Sequence, residues 1–197
     1  MAETRAHERT TKPKLAMYWA ASCGGCEISV LDIEAHLLDV DAAFDLAFFP
    51  CIADFKTKDV EAMADGSITV TLFNGAIRTS ENEHMARLLR QKSAVLVAYG
   101  SCACETITIP AFWETVKTLD QVVDVDYYIP GCPPQSDQAW KVIEAVIDIL
   151  QTGKPLPPKG AILGAGEKTC CDECPRERKE KKLKGFVRPW QIIPDPD

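Results

Sequence analysis

Compact apolar runs alternate with longer stretches of helical spacing through the first 151 residues. Lys14 to Ala20 (KLAMYWA), Phe44 to Phe49 (FDLAFF), Ile68 to Phe73 (ITVTLF), Ala94 to Tyr99 (AVLVAY) and a segment within Val122 to Ile129 each predict a strand. Between them, Ile28, Leu31, Ala35 and Leu38 recur at helical spacing with polar Asp32, Glu34 and His36 interleaved. Residues 57–65 predict a short helix. Ser80 to Gln91 predicts a helix with Ser80 as N-cap and Glu83 three residues on. Ala111 to Leu119 predicts another. Ser136 to Gln151 predicts a long amphipathic helix whose apolar stripe is Ala139, Trp140, Ile143, Val146, Ile147 and Leu150.

The strands are apolar on both faces, as strands covered by helices on two sides must be. The expected fold is therefore α/β, a doubly wound parallel sheet of five strands. The strand order does not follow from the pattern, and a flavodoxin-like order is the working expectation. Residues 1–13 read as a polar leader, 14–151 as the folded domain and 152–169, rich in Pro, Gly and Lys, as a linker. Residues 170–197 are too few and too polar to build a core, and read as an extension completed by further chain or by a partner.

Composition narrows the classes. The 197 residues are 46% hydrophobic and 26% charged, which fits a globular chain and not a disordered one. No run of eighteen apolar residues exists, so no membrane span is expected, and Met1 to Thr10 lacks the apolar core of a secretory signal. A cytoplasmic location follows as the expectation. The net charge of −7 is uneven: residues 175–188 carry seven basic and two acidic side chains, and the rest is acidic. An acidic body does not suggest nucleic-acid binding. The basic stretch reads as a docking patch or a solvated helix.

Nine cysteines change the picture most. Without a secretory signal a disulfide framework is not expected, which leaves metal or redox chemistry. Six of them follow strands: Cys23 and Cys26 the first, Cys51 the second, Cys102 and Cys104 the fourth, Cys132 the fifth. Ligands of open α/β sheets bind beyond the carboxyl ends of the strands. In Ser22-Cys23-Gly24-Gly25-Cys26, glycines let the backbone curl so that two thiolates reach one centre. A thioredoxin-type dithiol would read similarly. Gly100-Ser101-Cys102-Ala103-Cys104 repeats the logic. In Pro130-Gly131-Cys132-Pro133-Pro134, prolines on both sides stiffen the turn and remove competing amide donors. Four thiolates from three loops of one edge match an iron–sulfur cubane. Zinc takes four thiolates too, although its structural sites favour paired C-x-x-C knuckles, and only one such pair lies in these loops. An FMN protein would need a Ser/Thr-rich phosphate loop after the first strand, and Ser22 to Cys26 is a poor one. Cys51 and Cys104 read as structural, and His7, His36 and His84 as solvated.

The motifs Cys23-Gly24-Gly25-Cys26-Glu27, Gly100-Ser101-Cys102-Ala103 and Pro130-Gly131-Cys132-Pro133-Pro134, in that order, resemble the small subunit of [NiFe] hydrogenases and its complex I relative, the 20-kDa subunit. The Cys171-Asp172-Glu173-Cys174-Pro175 segment resembles the cytoplasmic methyl-viologen-reducing type, which supplies electrons to heterodisulfide reductase. The resemblance implies a [4Fe–4S] cluster on Cys23, Cys26, Cys102 and Cys132. Gly24, Gly25, Gly100 and Gly131 would then be the places where backbone amides approach it. It implies a large subunit as partner, which holds the nickel site, and a downstream iron–sulfur or flavin acceptor. The complex I relative characteristically has adjacent cysteines in its first motif, and the two glycines here favour the hydrogenase side. Where the family commonly continues Gly-Gly-Ile-Pro after the second motif, this chain reads Cys104-Glu105-Thr106-Ile107-Thr108-Ile109-Pro110. Cys170, Cys171 and Cys174 are one thiolate short of a second cluster, whose fourth ligand would come from a partner or from further chain. With the chain ending at Asp197, the family's medial and distal clusters are not both expected from it.

Overall fold

The computed structural model describes residues 12–104 and 116–166, together with residues 172, 174 and 175. The chain divides into two compact units, Met1–Ala165 and Gly166–Asp197. In the second, Asp172, Cys174 and Pro175 are exposed.

The first unit is a six-stranded, all-parallel sheet. Its strands are β1 (Lys14–Trp19), β2 (Asp45–Phe48), β3 (Ile68–Asn74), β4 (Ser93–Tyr99), β5 (Tyr127–Ile129) and β6 (Ala161–Ile162). Their spatial order is β2-β1-β3-β4-β5-β6. This is the flavodoxin-like order extended by one strand. The sixth strand lies within residues 152–169, the stretch read as linker. Two residues between Gly160 and Gly164 offer no periodicity to read.

Alternation along each strand feeds two cores. Leu15, Met17, Leu72, Val97, Tyr99 and Ile129 point to one face. There they meet Cys26 and Val30 of α1 (Gly25–Leu31), Val40 of α2 (Leu37–Ala43), and Ala139 and Ile143 of α6 (Ser136–Thr152). Ala16, Phe73, Leu96 and Ala98 point to the other. They meet Val60 of α3 (Thr57–Glu61), Met85, Ala86 and Leu89 of α4 (Ser80–Lys92), and Ala103 of α5 (Ser101–Cys104).

Two of the expected elements differ in the structure. The helix expected over Ile28 to Leu38 is broken into α1, a 3-10 turn at Glu34–His36 and α2, because Glu34 adopts φ +55°, which no α-helix accommodates. The α4 helix is capped one residue earlier than expected. Thr79 Oγ1 accepts from Asn82 N at 3.2 Å, and Asn82 Oδ1 accepts from Thr79 N at 3.3 Å. The helix expected over Ala111 to Leu119 falls largely on residues outside those described, and Leu119–Gln121 form a 3-10 turn.

One register places the site. Trp19 pairs with Asn74, Asn74 with Tyr99, and Tyr99 with Ile129. Four strands thus end level at one rim, and the loops that follow them leave from the same height. The strand order reverses between β1 and β3, which is where such folds open a crevice.

Candidate metal centre

The loop after β1 is built by its neighbours. Ala20 N donates to Asn74 O at 2.7 Å, and Ala21 and Ala76 exchange backbone bonds at 3.2 and 3.0 Å. Trp19 Nε1 donates to Ser22 O at 3.2 Å, folding the half-exposed indole over the loop. Gly24, at φ +85°, turns the chain into α1, and a Cβ there would stand 3.2 Å from the indole ring. Only glycine meets both demands. The turn leaves Cys23 exposed and carries Cys26 into the buried first turn of α1.

The second and third loops are stitched together. Gly100 N donates to Ile129 O and Ser101 N to Gly131 O, each at 2.7 Å, and Gly131 N returns a 3.3 Å bond to Ser101 Oγ. The Cys132–Pro133 peptide bond is cis. Both loops also reach the first. A Cβ at Gly100 would collide with Cys26 Sγ. A Cβ at Gly25 would stand 3.5 Å from Cys23 Sγ and 3.6 Å from the Pro133 ring.

Electrostatics ties the four thiols. The Cys26 thiol is pushed up to about 12, first by burial, then by Glu27, and then by Cys102, Cys23 and Cys132. Each of those groups, when negative, opposes a charge on Cys26. Glu27 is itself buried, and its Oε1 accepts from Asn74 Nδ2. Glu27 Oε2 and Asn74 Oδ1 are buried acceptors with no donor. On the other side Tyr99 OH stands 2.8 Å from Ser29 Oγ, which donates to Cys26 O at 2.9 Å. The Ser29 proton is committed to that carbonyl, so Tyr99 donates. Burial, and to a lesser degree Cys26 and Glu27, hold the Tyr99 phenol above its ordinary value, and the bond to Ser29 only partly offsets them.

Cys26 therefore stands within electrostatic reach of Cys23, Cys102 and Cys132, and Gly25, Gly100 and Gly131 line the seams between their loops. Cys51 is exposed in the loop after β2, with its thiol raised by burial and then by Glu27. The Cys104 thiol is turned into the fold, donating to Ala98 O at 3.4 Å and Ile129 O at 3.8 Å. Cys170 and Cys171 lie outside the described residues, and Cys174 is exposed in the second unit. His36 stacks on Trp140 and faces Asp39, and His84 faces Glu61. Among the described residues, no three His, Cys, Asp or Glu side chains gather tightly enough to hold a single metal ion. Asn74 is a contributor that the apolar strand pattern, which ends at Phe73, does not single out. Its one readable signal is its place at the end of a strand on the cysteine rim.

The chain is similar to known proteins in sequence and in fold. The family of the NADH ubiquinone oxidoreductase 20 Kd subunit matches residues 23–146. The iron-sulfur subunit of the F420-non-reducing hydrogenase of Archaeoglobus profundus is 36% identical, over 89% of this chain and 67% of that protein. A vhu subunit of the F420-non-reducing hydrogenase of Methanocaldococcus jannaschii is 30% identical, over 95% of this chain and 70% of that one. In fold, the chain is similar to an NAD+-reducing [NiFe]-hydrogenase chain, with TM-score 0.59 and 23% identity over 74% of this chain and 96% of the other. It is also similar to a chain of the Dm. baculatum [NiFeSe]-hydrogenase, with TM-score 0.57 and 19% identity over 78% and 70%.

Proposed function

The chain belongs to the NADH ubiquinone oxidoreductase 20 Kd subunit family, as an iron–sulfur-type subunit of a hydrogenase-like oxidoreductase complex, and from that premise we propose that it holds one [4Fe–4S] cluster on Cys23, Cys26, Cys102 and Cys132. The observation that carries this reading is the meeting of the three cysteine loops, with Cys26 Sγ against Gly100, and Cys23 Sγ and the Pro133 ring against Gly25. The Cys26 thiol, buried beside the buried Glu27 carboxylate, is costly to ionise, and a cationic metal–sulfide core is what would relieve that cost. A single ion would need its ligands drawn to about 2.3 Å of one point. In a cubane each thiolate binds its own iron, so the ligands stand further apart, as thiols from three separate loops do.

Bound there, the cluster supplies one-electron transfer at a potential set by its surroundings. The chain's own residues do the rest. Burial of Cys26 in the first turn of α1 limits water at one ligand, while exposed Cys23 and Cys132 leave theirs open to a partner. Gly25, Gly100 and Gly131, with Gly24 at the turn, let backbone approach where a side chain would block it. Glu27 adds negative charge beside Cys26. Electrons would come from a catalytic large subunit and leave to a downstream iron–sulfur or flavin protein. The Cys171-Asp172-Glu173-Cys174-Pro175 segment supports the methyl-viologen-reducing, heterodisulfide reductase-linked type, and the relatives from F420-non-reducing hydrogenases support a hydrogenase partner. A cytoplasmic site of action fits that type, and no helix among the described residues is long and apolar enough to cross a membrane. Residues 14–151 would form the cluster-binding domain. Cys170, Cys171 and Cys174 would serve a second cluster completed by another thiolate.

The test is anaerobic isolation of the chain with its complex, followed by iron and sulfide analysis and EPR. A brown protein is expected, and Cys132→Ser should lose or convert the cluster. Unchanged spectra would remove Cys132 from the ligand set, and zinc in a colourless protein would replace the reading with a structural site.

A further inference from the structure

Asn74 ends β3 at the point where the strand order reverses, and its side chain is fully buried. Its Nδ2 donates to Ser22 Oγ at 2.9 Å and to Glu27 Oε1. Those two residues immediately flank the segment Cys23–Cys26. A carboxylate oxygen only accepts, so the group facing Glu27 must be the amide nitrogen, and Oδ1 is turned the other way. There Oδ1 lies 3.7 Å from the position a Gly100 Cβ would take, the same position that Cys26 Sγ blocks. Ser22 Oγ in turn accepts from Gly24 N at 3.4 Å, so the pull of Asn74 reaches the turn between the two cysteines. Asn74 O also accepts from Ala20 N at 2.7 Å, which fixes the start of the same loop.

We propose that Asn74 is the positioning residue of the centre: from a neighbouring strand it clamps both ends of the Cys23–Cys26 loop and sets the distance of Cys26 from the second cysteine loop at Gly100. The inference rests on the cluster reading above and deepens it. Asn74 makes no bond to the cluster and acts through Ser22 and Glu27. Outer-shell partners that orient metal ligands typically change metal affinity roughly 10- to 100-fold when removed. Asn74→Ala should therefore speed chelator-driven loss of iron by about tenfold or more and alter the EPR g-values and midpoint potential of what remains. Ser22→Ala removes one of the two anchors and should move the same three quantities in the same direction by less.

A loss of general stability would not do this. Ser93→Ala removes another buried bond of β3, the 2.6 Å contact of Thr71 Oγ1 with Ser93 Oγ at the start of β4, away from the rim. It should lower the unfolding temperature and leave the EPR signature and potential unchanged. The experiment uses the anaerobically purified complex carrying each variant. If wild type holds about four irons and Asn74→Ala keeps its spectrum, potential and iron retention, the positioning role is wrong and the cluster reading stands. If Ser93→Ala shifts the spectrum as far as Asn74→Ala, the role is likewise wrong. If wild type holds no iron–sulfur cluster, both readings fail together. Should Asn74→Ala not accumulate, Ser22→Ala decides: an unchanged spectrum and unchanged iron retention overturn the proposal.

Discussion

Gly100 sits at φ +84°, and the space where its Cβ would stand is taken by Cys26 Sγ. A side chain there costs about 1–2 kcal/mol in backbone strain alone. The clash adds to that, so Gly100→Ala should lower the unfolding temperature by at least about 3 °C and lower the iron content measured on the same preparation. Glu27 tests the other local property, charge. Negative charge beside a redox centre favours its oxidised form, so Glu27→Gln should raise the midpoint potential in a redox titration followed by EPR. An unchanged or lowered potential would remove Glu27 as a tuning charge. At this scale the sequence disclosed chemistry better than contacts. The glycines of the first two cysteine loops were legible because only backbone freedom explains them beside thiols. Asn74 was not, because an Asn-Gly pair reads as a turn whether or not its amide reaches across to Ser22 and Glu27.

Among the elements, α4, β4 and β5 are locked by one carboxylate. Asp126 is buried, and its oxygens accept from Arg90 Nη1 at 2.7 Å, Leu96 N at 2.9 Å and Lys159 Nζ at 2.6 Å. Burial pushes its pKa up, but the Arg90 and Lys159 bonds and the Leu96 amide outweigh it and hold the group below the usual 3.8. A carboxyl depressed in the folded chain stabilises it above the ordinary value, and that stability is lost as pH falls through the folded value. Thermal unfolding should therefore show Asp126-dependent stability that is constant near neutrality and disappears below about pH 4. Asp126→Asn should remove it at pH 7, costing about 1–2 kcal/mol, chiefly through the weakened bond to Arg90, since exposed Lys159 is screened by water. A variant with the wild-type acid profile would overturn the assignment. Apolar strands and the α6 stripe were legible because each is a single periodic run. The break at Glu34 was not, because the apolar spacing of Ile28, Leu31, Ala35 and Leu38 continues through it, and periodicity carries no information on one residue's φ. Strand β6 was hidden by its length.

For the whole molecule, the level ends of β1, β3, β4 and β5 decide what the rim can do. Iron counts on the isolated complex separate one occupied site from two. About four irons per chain mean that the rim alone is filled, and about eight bring in Cys170, Cys171 and Cys174. The bonds that shape the rim, Gly100 N to Ile129 O, Ser101 N to Gly131 O and Ala20 N to Asn74 O, run from backbone to backbone and involve no thiol. Zinc fingers, whose few residues fold only around their ion, are built the other way. Here the sheet's own backbone bonds shape the receptacle. On the proposed cluster reading, delivery of iron and sulfide would be a late maturation step on an already folded chain, and a cell starved of iron would accumulate a stable, protease-resistant precursor rather than an unfolded one.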